Sequence, residues 1–374
     1  MLTIEKQHYK LNNTMIIFFT IIILLLLIIC FQLKNGQTKF IINKSATALV
    51  NVKADFGAAG DGIKDDTVAI QQAINSVDKG IIYFPGGVYL VGELKLKNDV
   101  TLTSFNDALQ YTGNEGPVIL KATSNSVVII NTEKVSGYAV SGITFDGNHK
   151  KESGMSGGSY NGLIKNCKFY NCDVGIGKNL KNEYSGFLFT TNIEGCYFDS
   201  CNNGIANVID SKITNNFIYS CDIGIMLTGS DNTITGNKIE WNDRYGIAAY
   251  AAGHCVISNN IIDRSGFDGL FFNSDSEGNS VTGNVFRRNG ALGEKNNEKA
   301  HILVEGSSNI VFNGNVTVAE NSKDDKTGKV VPDFSIYCEN SKYVSITGNN
   351  LIGALKEQII QSNNQGFKVD SQYK

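Results

Sequence analysis

The chain carries little charge and no concentration of it: 18% of its 374 residues are charged, the net charge is −3, and no block of Lys and Arg occurs. A nucleic-acid partner needs a concentrated positive surface to displace counterions, so none is expected. Proline is scarce, at 3 residues, and the branched aliphatics are spread along the chain instead of gathering in long helical blocks. Together with 39 glycines and many asparagines, this profile predicts short strands joined by tight turns. Histidine is also scarce, and none joins the Cys-x4-Cys pairs at Cys167/Cys172 and Cys196/Cys201, so no zinc or other metal site is expected there.

The longest apolar run spans residues 15–31, relieved only by Thr20 and preceded by Lys6 and Lys10. About 17 residues reaches the lower limit for crossing a bilayer, so this segment predicts export. No small-x-small pair follows it, and Gln32, Leu33 and Lys34 make a poor peptidase site, which favours a retained anchor over a cleaved signal. Cys30 follows Ile29, where lipid attachment wants a small residue. Residues 1–31 are thus expected to be a signal anchor or signal peptide and residues 32–50 a polar linker. The protein is expected outside the cytoplasm, membrane-anchored or secreted.

A repeat dominates the rest. Ile213-Thr-Asn-Asn-Phe-Ile218, Ile234-Thr-Gly-Asn-Lys-Ile239, Ile257-Ser-Asn-Asn-Ile-Ile262, Val281-Thr-Gly-Asn-Val-Phe286 and Ile346-Thr-Gly-Asn-Asn-Leu351 reuse one template. Apolar and polar residues alternate at the period of a strand with one buried face, and Gly204-Ile205, Gly224-Ile225, Gly246-Ile247 and Gly269-Leu270 each open a further strand. Aligned on the apolar positions, Cys167, Cys196, Asn216, Asn237, Asn260, Asn284, Asn315 and Asn349 share one site, and Cys172, Cys201, Cys221, Asn242, Ser265 and Asn289 share another. Coils stacked about 4.8 Å apart would let each inward amide bond to its neighbours above and below. A buried amide without partners costs about 1–3 kcal/mol, so these columns predict a solenoid. The ladder cysteines are expected to be free buried thiols, since parallel in-register strands rarely orient two sulfurs for a bond.

Asp55-Phe-Gly-Ala-Ala-Gly-Asp-Gly-Ile-Lys-Asp-Asp-Thr-Val-Ala-Ile-Gln-Gln-Ala-Ile74 is a glycine-rich turn leading into a helix. Asp65 or Asp66 can cap that helix, and Ile70, Ala73, Ile74 and Val77 follow at helical spacing, so it would close the open end of the stack. This stretch resembles the opening of the pectate-lyase-like superfamily, which includes rhamnogalacturonase-like, epimerase-like and phage-tailspike β-helices. The resemblance implies an all-β fold, a single-stranded right-handed parallel β-helix with an amino-terminal capping helix, over residues 51–352, followed by a tail at 353–374. It also implies that Asp61, Asp65 and Asp66 build the cap. Polygalacturonases resemble one another in Asn-Thr-Asp, Asp-Asp, Gly-His-Gly and Arg-Ile-Lys motifs that these coils lack, Gly253-His254-Cys255 being a partial echo. The Asp-Pro-His-Glu of alginate epimerases is missing too, so neither activity transfers by motif. Calcium is the one cofactor such a resemblance suggests, and no acidic cluster on one coil marks a site for it.

Sugar chains usually lie along a groove across several coils of such folds. Coil spacing grows between Ile193–Ile213 and Val281–Phe312, and the extra residues at 290–299 and 321–333 precede the Gly-Ile-type strand, so loops are expected to rim that face. Its outward positions are Met226, Ala248, Phe271, Leu303 and Tyr337, then Thr228, Tyr250, Asn273, Glu305 and Glu339. Phe271, Tyr250 and Tyr337 are candidate platforms for sugar rings, with Tyr245, Asn273, Lys299 and Glu305 as further substrate contacts. Asp222, Asp243 with Arg244, and Asp268 precede the strand on consecutive coils. Asp222 and Asp268, about 10 Å apart, would suit an inverting hydrolase, and Asp243 beside Asp268 would raise one pKa into the range of a proton donor. A lyase or epimerase would use Arg244, Lys299 or His301 against the substrate carboxylate and the C5 proton. Trp241 is either a sugar platform or packing under a loop, and Glu240, Asp263, Arg287 and Arg288 are expected as a solvated, paired ladder. The sequence therefore predicts a polysaccharide hydrolase or lyase, with a carbohydrate-binding or adhesive protein and a C5-epimerase as alternatives.

Overall fold

The computed structural model describes residues 48–105, 116–123, 127–149, 152–178, 186–318 and 331–370. The predicted anchor at residues 15–31 lies outside them, and no helix among the described residues is long and apolar enough to cross a membrane.

The recurring Ile-Thr-Gly-Asn template makes two short strands and a corner. In one coil the chain runs Lys212–Thr214, Phe217–Tyr219 and Ile223–Leu227; in the next it runs Thr233–Thr235, Lys238–Glu240 and Tyr245–Tyr250. Each strand pairs in parallel with its equivalent one coil away, which builds sheets of 13, 12 and 11 strands, called first, second and third below, and a shorter one of 4. Identical positions coincide: Ile213, Ile234, Ile257, Val281, Phe312 and Ile346 form one column, and Ile225, Ile247, Leu270, Ile302 and Ile336 another. All of these point inward and are buried, as are Phe145, Phe169 and Phe198, whose rings stack at 4.8 and 5.0 Å.

The corner between the first and second sheets explains the polar half of the template. Residues 215, 236, 259, 283, 314 and 348 all have φ between 55° and 69°, the left-handed region where Asn and Gly cost least, and each of these six is Asn or Gly. The next residue turns its amide inward. Asn216 donates Nδ2 to Asn237 Oδ1 at 3.0 Å, and the same contact repeats from Asn237 to Asn260, Asn260 to Asn284, Asn284 to Asn315 and Asn315 to Asn349 at 2.9–3.0 Å. Each Oδ1 also accepts the backbone N–H of the rung below, for example Asn237 N–H at 2.9 Å. The second column behaves likewise, with Cys221 N–H on Asn242 Oδ1 and Ser265 N–H on Asn289 Oδ1. A third column escaped the sequence analysis: Thr191, Ser211 and Asn232, where each backbone N–H bonds to the next side-chain oxygen, and Cys255 with Asn279 in the same way. Its residue types vary too much to read as one repeat. All seven described cysteines are buried and free.

Helix α1 (Thr67–Asn75) buries Ile70, Ala73 and Ile74 against the first coils. Asp65 Oδ1 accepts Thr67 N–H at 2.9 Å, while Asp66, fully buried, accepts Ala59 N–H at 2.7 Å and Gly60 N–H at 2.8 Å. Asp66 is therefore not a side-chain cap of the helix; it holds the glycine turn under it. Asp61 closes its own turn on Ile63 and Lys64 N–H. At the other end the stack runs further than the sequence suggested. Glu357–Ser362 adds to the third sheet and Lys368–Asp370 to the first, so most of the expected tail at 353–374 belongs to the solenoid. The first strand, Ala48–Asn51, likewise takes in the end of the expected linker.

Candidate functional site

The outward row of the third sheet is in the expected register. Met226, Ala248, Phe271, Leu303 and Tyr337 stand one above another, and Tyr250 pairs with Asn273 and Glu305 with Glu339 in the row beyond. The first row is not an open platform, however. Met226, Ala248, Phe271 and Leu303 are buried together with Val174, Ile223 and Tyr245 in an apolar cluster separate from the interior core. Tyr245 stacks on Phe271 at 4.9 Å, Phe267 meets Tyr245 edge-on at 5.6 Å and Tyr250 meets Phe271 edge-on at 5.8 Å. Phe271 and Tyr245 are thus the floor of the face, and half-buried Tyr250, Asn273, Glu305, Tyr337 and Lys299 form its polar surface.

The three aspartates do not share one space. Asp222 is held by Arg244: Nε donates to Oδ1 at 2.7 Å and the Nη2 arm to Oδ2 at 2.5 Å, a bidentate fork with both side chains partly exposed. The fork raises the Arg244 pKa further, with burial opposing it. Asp243 is exposed and lines a cavity at the corner between the second and third sheets instead. Asp268 is fully buried; Oδ1 accepts Ala300 N–H at 2.9 Å, and burial pushes its carboxyl well above the usual range. The paired-carboxylate geometry of an inverting hydrolase is therefore not formed by Asp222 and Asp268, since only one of them reaches solvent.

His301 corrects a second expectation. It is fully buried within the stack, with Nδ1 3.2 Å from Asn289 Nδ2 and Nε2 3.0 Å from the Gly353 carbonyl, and burial lowers its pKa to about 3. It replaces the repeat's glycine as an inward hydrogen-bonding residue that ties the coil to residue 353, and it does not face the groove. The loop at residues 290–299 does rim the face, braced by Glu298, which accepts Glu294 and Lys295 N–H at 3.1 Å, and by Asn297 Nδ2, 3.4 Å from Glu339 Oε1. The second expected loop, at 321–333, falls almost entirely outside the described residues. Among the described residues no three His, Cys, Asp or Glu side chains converge as metal ligands would.

What remains on the exposed face is the Asp222–Arg244 fork, with Tyr250 on the same sheet. Burial raises the Tyr250 pKa, Arg244 opposes that shift and Asp222 adds to it, so the phenol lies within the electrostatic reach of the fork. The fork was legible in part: Asp222 and Arg244 directly precede Ile223 and Tyr245, which pair on adjacent coils, so the two side chains start from equivalent positions.

Two family models match the chain, one described as Rhamnogalacturonase A/epimerase, pectate lyase-like, over residues 49–127, and one as Right handed beta helix region, over residues 223–372. The chain is 29% identical over 235 residues to mannuronan C5-epimerase AlgE5 of Azotobacter vinelandii, a match covering 59% of this chain and 22% of that protein. It is 35% identical over 136 residues to alginate lyase 7 of the same organism, covering 33% of this chain and 16% of that protein. The matches thus span less than a quarter of either relative. Its fold is similar to that of the AlgE6 A-module of A. vinelandii, with a TM-score of 0.60 at 18% identity, covering 87% of this chain and 99% of the module. With its cap and its stacked coils, the chain has the right-handed parallel β-helix fold, and over residues 49–127 it is similar to the pectate-lyase-like family.

Proposed function

We propose that this chain binds an acidic polysaccharide across the outer face of its third sheet and removes the C5 proton of a uronate, the step that lyases and epimerases share. The observation that carries this reading is the Arg244–Asp222 fork, with Tyr250 within its electrostatic reach, on a sheet whose floor is Phe271 and Tyr245. The fork uses Nε and Nη2 of Arg244, which leaves Nη1 for a substrate carboxylate, and pairing that carboxylate with a cation makes the adjacent C5 proton easier to remove. Asp222, oriented by the fork, accepts the proton. Tyr250, kept protonated by its burial, supplies one. In an elimination the C4–O bond breaks, a C4–C5 double bond forms and the Tyr250 proton goes to the departing oxygen; in an epimerisation Tyr250 gives its proton to C5 from the face opposite Asp222, and exchange with solvent restores both groups. The relatives named for mannuronan epimerisation and alginate lysis support a polyuronate as the substrate class. The apolar run at residues 15–31 supports action outside the cytoplasm, anchored or secreted.

The test is incubation with polymannuronate, alginate and polygalacturonate, beside a neutral glucan. Elimination releases ultraviolet-absorbing unsaturated ends, and epimerisation takes up solvent deuterium at C5 without chain cleavage. Arg244→Gln is expected to lower turnover by about a hundredfold. Retention of the polymer with neither reaction would make the chain a binding protein, and full activity in Arg244→Gln would remove the fork from the site.

A further inference from the structure

The cavity at the corner between the second and third sheets holds about 250 Å³ and lies on a column of three unusual residues. At the equivalent corner of the earlier coils stand Asn171, Ser200 and Ser220; the next three coils place Trp241, Arg264 and Arg288 there, at φ 59°, 57° and 47°. Bulky side chains are disfavoured in this left-handed region, and local backbone strain of this kind gathers at ligand sites. The Arg264 guanidinium lies 4.3 Å from the Trp241 ring centroid, and its Nη1 donates to Asp263 at 2.9 Å. Arg288 grips the same Asp263 through its own fork, Nε to Oδ1 at 2.9 Å, and both are buried, so this cluster is not the solvated ladder the sequence suggested.

One buried side-chain polar atom without a partner among the described residues belongs to the cavity wall, Arg264 Nε, whereas Asn242 and Ser265 at its base belong to the inward column. Buried polar groups are nearly always satisfied, and an open guanidinium nitrogen in the wall of a cavity points to a ligand. The walls are of two kinds. The guanidinium of Arg264 offers hydrogen bonds to an anion, while Trp241 and the half-exposed Leu292 offer an apolar surface that a bare inorganic ion would not use. The volume is below the roughly 300–1,000 Å³ of drug-sized sites, which suits one sugar ring and not an oligomer.

We propose that this corner is a second carbohydrate site, a pocket for a single carboxylate-bearing sugar with its anion on Arg264 and its ring against the apolar wall. It is distinct from the third-sheet face and does not depend on any reaction there.

Trp241 is the only tryptophan of the chain, so tryptophan emission, excited selectively over the 15 tyrosines, reports on this pocket alone. The full-length protein is titrated with mannuronate and galacturonate, with glucose, and with sodium sulfate. The uronates are expected to change the emission in a saturable way, and glucose and sulfate are not. Arg264→Gln abolishes the response, while Arg244→Gln on the sheet face leaves it in place, so failure of one site does not carry over to the other. Asp243→Asn removes a negative charge from the cavity wall and tightens uronate binding by about two- to threefold, a gain that misfolding cannot mimic. The proposal is overturned by a flat titration, by glucose or sulfate saturating the signal as well as a uronate does, by an unchanged response in Arg264→Gln, or by weaker binding in Asp243→Asn.

Discussion

Replacing Asn260 by Ala tests the physical basis of the whole stack. The Asn260 side chain makes four hydrogen bonds: Nδ2 donates to Ile234 O at 3.0 Å and Asn284 Oδ1 at 2.9 Å, and Oδ1 accepts Asn237 N–H and Nδ2, both at 2.9 Å. Asn237 Nδ2 keeps its bond to Ile213 O, and Asn284 Oδ1 keeps the Asn260 backbone N–H, so these two groups are only weakened. Asn237 N–H loses its acceptor in a site that water does not reach. At about 1 kcal/mol for each net hydrogen bond and a further 1–2 for the orphaned donor, the loss is about 5–6 kcal/mol. That is a large part of the roughly 5–15 kcal/mol that holds a domain folded. Urea unfolding followed by circular dichroism measures it, with Val256→Ala, an exposed strand position in the same coil, as a control expected to change stability by about 0.5 kcal/mol or less. Because each coil contacts only its neighbours, the variant is also expected to unfold in a broader transition. If Asn260→Ala stays within about 1 kcal/mol of the wild type, the amides do not hold the coils together and the ladder argument fails.

His301 makes stability depend on pH. Its folded pKa of about 3 lies below the unfolded value of 6.5, so its contribution is complete above pH 6.5 and is lost as pH falls toward 3, at up to about 1.4 kcal/mol per unit. Asp268 acts with the opposite sign, since its raised carboxyl pKa favours the folded state toward acid, so the two are separated by comparing wild type with His301→Asn between pH 7 and 4; parallel stability profiles would refute the assignment. The thiols offer another check: burial raises Cys172, Cys196 and Cys221 well above the usual range and Cys338 to about 12, so the described cysteines are expected to react with a thiol reagent at mildly alkaline pH only as fast as the protein unfolds. Labelling of several of them while the circular dichroism stays native would contradict the closed interior.

The solenoid was readable because its physics is local and repeated. Ile213, Asn216 and Ile218 recur with small changes coil after coil, and an inward amide at one rung demands another at the next, so sequence alone determined the strands, the register, the two asparagine and cysteine columns, and the free thiols. The row Met226–Ala248–Phe271–Leu303–Tyr337 was legible for the same reason. Its exposure was not, because Tyr245 and Tyr250 cover Phe271 through contacts between coils that no period encodes. Asp222, Asp243 and Asp268 look alike in sequence, three acids before three equivalent strands. The tertiary structure alone decided that one is gripped by Arg244, one lines a corner cavity and one is sealed under Ala300. A carboxylate's role is set by the water and charge around it, and those depend on loops and neighbouring side chains that differ from coil to coil while the backbone repeats.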